Sequence, residues 1–258
     1  MQLLLKKGSM YKIYNRNLLY HGCIPLNEDG TFKEIQVYDK VYKGKELYDV
    51  LETYVRKAFV AVDEREKEKG KDILWFIWSS PSSPLFGKDK MATFERYFLA
   101  EEETHKENKN AYYKFLEDEA VADRILQEFH VTGECTHIVN GHVPVHHGAG
   151  ESPIKCGGKL LIIDGGFSRA YQKETGIAGY TLIYNSWGMI LAAHEPFTSA
   201  ADAISKESDI LSDSILVKRT VKRKTVGETD IGMKLKERIA ELEELLAAYR
   251  DGLLIEKS

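Results

Sequence analysis

Residues 136–145 read THIVNGHVPV, and the fold is decided by what that stretch does. The apolar, β-branched run His137–Asn140 suits a half-buried or buried strand, and Gly141 then opens a turn that Pro144 closes by fixing the direction of exit. His142 therefore stands at the end of a strand. A second short apolar run, KLLIID (159–164), ends in the same way on Asp164 and two glycines. GYTLIYNS and GMILAAHE, residues 179–195, follow as two strands joined at Trp187 and Gly188, the pattern of a hairpin.

Upstream, SMYKIYN and NLLYHG read as strands before the turn residues CIPLNEDGTF, so His21 has the same strand-end setting as His142. Between these β-rich ends, apolar residues Leu47, Leu51, Tyr54, Ala58 and Val62 recur at steps of three and four, describing one helix from Lys45 to about Glu68 closed by Gly70. The run ILWFIW (73–78) is too short for periodicity to assign. Further helices are expected over 91–100 and 110–129. A final helix capped by Asp230 carries Ile231, Leu235, Ile239, Leu242, Leu245 and Tyr249 as one stripe. The chain thus divides into a strand-rich start (1–43), a helical insertion (44–130) and a β-rich C-terminal part with a terminal helix (131–258), α/β in the broad sense.

Composition narrows the function. Hydrophobic residues make up 43% and charged residues 29% of the 258, an ordinary globular balance. A net charge of −4 gives no reason to expect a nucleic-acid partner, which requires a basic surface. The basic run Lys218, Arg219, Lys222, Arg223, Lys224 alternates with Val217 and Val221, as in an edge strand whose charges discourage further pairing. No run reaches the ~18 apolar residues of a membrane span, and the start of the chain is unlike a signal peptide. Three cysteines without a CxxC pair indicate reduced thiols, so a cytoplasmic protein is expected.

Of eight histidines, His105 and His130 read as surface residues, and His137 and His194 as hydrogen-bonded residues of strands. His21 and His142 are the candidates for metal binding, since a strand end holds an imidazole rigidly. Two ligands do not make a centre. A two-metal hydrolase also needs carboxylates to hold ions ~3.5–4 Å apart.

The words LLYHGCIPLNEDG, SPLFGKDKMATFERYF, THIVNGHVPV, ESPIKCGGKLLIIDGGFSRAYQKETGIAGYTLIYNSWG and KRKTVGETDIG resemble class III fructose-1,6-bisphosphatases, members of the calcineurin-like metallophosphoesterases. That resemblance implies a partial metallophosphoesterase β-sandwich flanked by helices, and hydrolysis of the 1-phosphate of fructose 1,6-bisphosphate in gluconeogenesis with two Mn2+ ions. His21 and His142 match the superfamily's fourth and fifth metal elements. The first three, Asp-x-His, Gly-Asp-x-x-Asp-Arg and Gly-Asn-His-Glu/Asp, are absent from this sequence. The metal site is therefore expected to be incomplete here, and the chain to be a C-terminal portion inactive by itself.

The same resemblance makes Lys88, Lys90 and Arg96 candidates to bind the sugar bisphosphate, with Lys155 a weaker one. Asp164 would orient neighbouring groups rather than ligate metal, His146 and His147, just past His142, are expected beside the site or on the surface, and the catalytic residue is not identified. The alternative is a non-catalytic sugar-phosphate-binding or assembly module served by a separate N-terminal polypeptide. Removal of partner strands would leave apolar faces of KLLIID and GYTLIYNS exposed, so an oligomer is expected.

Overall fold

The computed structural model describes residues 2–164, 172–196, 199–205, 207, 212–219 and 222–254. It is mixed α/β. Gln2–Lys7 form a short helix α1, which the strand-like reading of the first forty residues did not anticipate. Strands β1 (Tyr11–Tyr14) and β2 (Asn17–Tyr20) make an antiparallel hairpin whose turn residues Asn15 and Arg16 have positive φ. A smaller hairpin, β3 (Ile35–Val37) and β4 (Lys40–Tyr42), follows.

Helices α2 (Gly44–Val60) and α3 (Glu64–Ser79) pack on that hairpin, burying Ile35, Val37, Leu47, Leu51, Ile73 and Ile77 together. The single helix expected over 45–68 is therefore two. The apolar period runs on to Val62, but the Asp63 side chain accepts a hydrogen bond from the Arg65 amide and begins a new helix. ILWFIW is the second half of α3, whose charged first half is laced by the i,i+3 pairs Glu64–Lys67, Glu66–Lys69 and Glu68–Lys71. Gly70 does not end a helix. It lies where α3 crosses α2, and a Cβ there would stand 1.9 Å from that of Ala58.

Beyond a loop come α4 (Thr93–Phe98) and α5 (Glu119–Glu128). The helix expected over 110–129 is interrupted, because Asp118 caps α5 by accepting from the Val121 amide. Strands β5 (His137–Asn140), β6 (Ile154–Lys155) and β7 (Leu160–Ile162) complete a five-stranded sheet of order β1-β2-β5-β7-β6. The three central strands run parallel: Leu18 pairs with Ile138 and Ile138 with Leu160. All four residues of β5 are buried, as near-continuous apolar runs in parallel strands require.

A four-residue helix α6 (Gln172–Thr175) precedes the hairpin of β8 (Gly179–Asn185) and β9 (Gly188–His194). Helix α7 (Ala200–Ser205) and β10 (Ser212–Arg219) follow, and β10 lies at the edge of a three-stranded sheet of order β10-β9-β8. Val221, part of the alternation read in this basic strand, lies outside the described residues, as do Gly165 and Gly166 after Asp164. The last helix, α8 (Asp230–Arg250), is capped by Thr229, whose hydroxyl accepts from the Gly232 amide; Asp230 is its first residue rather than its cap. The chain divides into two compact units, Met1–Thr181 with Ala192–Ser214, and Leu182–Leu191 with Ile215–Ser258. Among the described residues no helix is long and apolar enough to cross a membrane.

Apolar exposure falls elsewhere than expected. Leu160, Leu161 and Ile162 are buried, because β7 lies between β5 and β6 rather than at an edge; Ile183 of GYTLIYNS is exposed. The largest exposed apolar side chains include Trp75, Trp78, Phe94 and Phe98 on helices and Trp187 in the β8–β9 turn.

The close crossing of α2 and α3 yields a test. Gly70→Ala should destabilise the protein by about 1–3 kcal/mol through overpacking, even though Ala is the better helix former by ~1 kcal/mol. Ala58→Gly in the same chain should restore part of that loss. Urea unfolding of the three variants checks both statements, and an unchanged midpoint for Gly70→Ala would contradict them.

Candidate metal centre

The parallel pairing that builds the sheet also builds the site. β2 and β5 run side by side with Leu19 opposite Val139, and one further main-chain bond, from the Gly141 amide to the His21 carbonyl at 3.0 Å, extends the pairing past the strand ends. His21 and His142 are thus carried out at the same edge of the sheet. On the other side of β5, Asn140 pairs with Ile162, which leaves Asp164 level with the same edge. The carboxyl ends of parallel strands are where open α/β sheets place ligands.

His21 Nε2 and His142 Nδ1 stand 3.1 Å apart, with the rings inclined at 65°. Nε2 of His142 lies 2.7 Å from the Phe86 carbonyl. A carbonyl only accepts, so this nitrogen carries the proton, and a neutral His142 presents the lone pair of Nδ1 to His21. Burial, the largest influence, pushes the His142 pKa below the usual histidine value; the Phe86 carbonyl opposes this, while His21 and Lys88 add to it. The ring is therefore held neutral and in one tautomer, the form in which imidazole ligates metal.

The pair fits a shared cation. Two ligands at right angles on one divalent ion with ~2.1 Å bonds are ~3.0 Å apart, against 3.1 Å here. Among the described residues there is no group of three or more His, Cys, Asp or Glu placed to hold an ion. His21 Nε2 and His142 Nδ1 are the two nitrogens this corner could offer.

Packing makes the corner rigid. A Cβ on Gly22 would lie 2.4 Å from the Pro84 carbonyl, so only glycine lets the chain pass directly beneath the loop that carries Phe86. His142 itself has φ of 67°, a left-handed conformation costly for a side chain of this size. Below the histidines, Asn140 donates to the Tyr112 hydroxyl at 2.8 Å, and the hydroxyls of Tyr112 and Tyr20 are 2.7 Å apart. Asn140 Oδ1 is buried with no hydrogen-bond partner among the described residues.

His21, Asn140, His142 and Asp164 line the polar end of a cleft of about 820 Å³ whose remaining wall is largely apolar, from Leu4, Leu19, Val55, Leu74, Leu85 and Val139.

Lys88, Lys90 and Arg96 are gathered on one segment, already engaged. Lys88 Nζ is 2.8 Å and Arg96 Nη2 3.8 Å from the carboxylate of Glu107, while Lys90 donates to the Thr104 carbonyl at 2.7 Å. Glu107 has its carboxyl pulled below the usual range by Lys88, the Ala92 amide and Arg96, against the opposing effect of burial, the largest single influence. Lys155 is elsewhere, near Glu117 and Glu151 at 3.3 and 3.4 Å. The His146 amide donates to the Glu151 carboxylate at 3.0 Å, which ties this residue to its own turn.

Among the other histidines, His137 Nδ1 lies 3.1 Å from Asn17 Oδ1 and His194 Nε2 2.7 Å from the Thr181 hydroxyl. His105 packs against the carbonyls of Glu95 and Leu99. Sequence reasoning missed Glu107, Asn140 and the Phe86 carbonyl. Only Asn140, a polar residue ending an apolar run, left a trace in the sequence.

The chain matches the family described as Firmicute fructose-1,6-bisphosphatase over residues 1–251. It is 54% identical over 257 residues to a fructose-1,6-bisphosphatase class 3 of Clostridium novyi (strain NT), covering 99% of this chain and 39% of the relative. It is 56% identical over 254 residues to one of Clostridioides difficile (strain 630), covering 98% and 38%. A Listeria monocytogenes serotype 4b (strain CLIP80459) relative is 53% identical over 256 residues, covering 99% and 39%. The chain thus spans about two-fifths of the length of these curated relatives. No solved structure matches it.

The half-buried, neutral His142 predicts a pH dependence. The unfolded chain takes up this proton near pH ~6.5, whereas the folded chain does so only at lower pH. Stability should therefore fall as pH drops through the ordinary histidine value, and level off once the folded residue titrates. Histidine-resolved NMR should show His142 protonating at lower pH than a free histidine. His142→Asn, which tolerates the left-handed backbone, should lose that part of the pH dependence. Titration of His142 at or above the ordinary value would contradict the assignment.

Proposed function

Because this chain belongs to the Firmicute fructose-1,6-bisphosphatase family, we propose that it is the C-terminal portion of a fructose-1,6-bisphosphatase and contributes two histidine ligands to its metal centre. The reaction is hydrolysis of the 1-phosphate of fructose 1,6-bisphosphate to fructose 6-phosphate and phosphate, in gluconeogenesis. The observation that carries the proposal is the His21–His142 pair, with its 3.1 Å nitrogen spacing and fixed tautomer, at the carboxyl ends of parallel strands. Within this reading the sheet is one part of a metallophosphoesterase sandwich.

Two Mn2+ ions, when bound, would supply a nucleophilic hydroxide and neutralise charge on the phosphoryl oxygens. His142 would offer Nδ1, and His21 would offer Nε2 after the proton that Nε2 donates to His142 Nδ1 in the metal-free pair moves to its own Nδ1. The Phe86 carbonyl keeps the His142 proton on Nε2, so Nδ1 needs no deprotonation on binding. Lys88 faces the same corner closely enough to disfavour protonation of His142. With Arg96 it would bind the sugar bisphosphate, which carries about four negative charges, in competition with Glu107. Asp164 lines the cleft beside the histidines and orients the turn through its main chain, the Val145 amide donating to its carbonyl at 3.0 Å.

Sequence elements for the bridging carboxylate and leaving-group acid are absent from these residues; a preceding stretch of chain or a separate polypeptide would bring them.

The test is phosphate release from fructose 1,6-bisphosphate with manganese. The 258-residue chain alone should be inactive, and addition of the relatives' remaining region should establish activity. In that complemented enzyme His142→Ala should lower activity at least about hundredfold, as loss of a metal ligand does. Turnover by the chain alone would overturn the proposal. Complementation insensitive to His142 would favour a sugar-phosphate-binding or assembly module instead.

A further inference from the structure

The apolar stripe of α8 has no role in the metal centre. Of the helix's 21 residues only Gly232 is buried, where a Cβ would stand 1.8 Å from the Val226 carbonyl. The first turn is thus fastened to the preceding 226–228 turn, itself closed by a reciprocal Thr225–Glu228 capping box. Past that point, Leu235, Ile239, Leu242, Leu246 and Tyr249 are between 47% and 54% exposed. Their spacing is four, three, four, three.

That spacing is a heptad repeat with Leu235, Leu242 and Tyr249 at d and Ile239 and Leu246 at a, and Leu245, 44% exposed, widens the seam at g. A surface helix packing on its own domain buries its apolar stripe; this one buries none of it. We propose that α8 is a dimerisation helix, pairing with α8 of a second copy of this chain as a parallel two-stranded coiled coil. A β-branched Ile239 at a between leucines at d favours two strands.

Charge supports a parallel pair of two copies. In a parallel pair, Arg238 at g faces Glu243 at e of the second copy, an attraction made twice by symmetry. Arg238 is already paired with Glu241 at 2.7 Å, but both are about two-thirds exposed, so changing partner costs little. In the antiparallel register that sets Ile239 against Tyr249, Lys236 would meet Arg250 and Glu243 would meet Glu243 of the other copy, contacts that repel. In the register that sets Ile239 against Leu242, Lys236 would meet Glu243, so there the direction rests on the cysteine cross-linking below. Glu237, Glu244 and Asp251 occupy f, facing water in either arrangement.

Sedimentation of the 258-residue chain should show a monomer–dimer equilibrium. Ile239→Asp with Leu242→Asp should weaken it about a hundredfold or more, by placing charge in the seam. Glu237→Lys, at f, should leave it unchanged. Circular dichroism and urea unfolding verify that the first unit stays folded. For direction, Leu235→Cys and Tyr249→Cys, each made alone and placed under mild oxidation, should each form a disulfide with its own copy beyond the level of the parent chain. A monomer at high micromolar concentrations, or an association indifferent to the seam substitutions, would overturn the proposal. So would cross-linking seen only when the Leu235→Cys variant is mixed with the Tyr249→Cys variant. None of these outcomes depends on metal or on phosphatase activity, so they leave the reading of the metal centre independently testable.

Discussion

The structure depends on the parallel pairing of β2 with β5. It aligns two segments 120 residues apart in sequence, Asn17 with His137 and Leu19 with Val139. Because side chains alternate strictly along a strand, a slip of one residue would reverse every face and carry His142 away from His21. Burial makes that slip expensive: Leu18 and Ile138 are fully buried neighbours. Hydrophobic packing thereby sets a polar geometry that packing itself does not use.

The surroundings maintain what the register establishes. A left-handed His142, a glycine pressed beneath the Pro84 carbonyl and a buried Asn140 oxygen without a partner among the described residues are each unfavourable in isolation. They occur close to one another, against an inner layer of interlocked tyrosines. Such concentration of local cost is usual where geometry serves chemistry, and here it surrounds a pair of imidazoles held with His21 Nε2 3.1 Å from His142 Nδ1. The Phe86 carbonyl then decides which nitrogen His142 offers.

Much of this was legible in the sequence. Short apolar runs ending in His21, His142 and Asp164 were readable as strand ends, since alternation and glycine placement are local properties. Helix boundaries were less so. Val62 continued the apolar period of α2, yet it is 91% exposed and the helix stops before it, because the Asp63 cap competes with continuation. Gly70 carried a helix-ending signal whose actual meaning, contact with Ala58, requires knowing that two helices cross there. Glu107 could not be read as the partner of Lys88, because 19 residues of loop and helix separate them and only the fold closes that distance. The burial of β7 likewise depends on strand order, which no single strand encodes.

Register brings His21 Nε2 and His142 Nδ1 to 3.1 Å, and paramagnetic relaxation tests most directly the proposal that the pair holds a cation. Substoichiometric Mn2+ added to the 258-residue chain, with the eight histidine ring signals assigned, reports proximity even when affinity is weak. The ring signals of His21 and His142 should broaden together and before the other six, and substitution of either should abolish the effect at its partner. Broadening centred on other histidines, or at only one of the two, would contradict the claim.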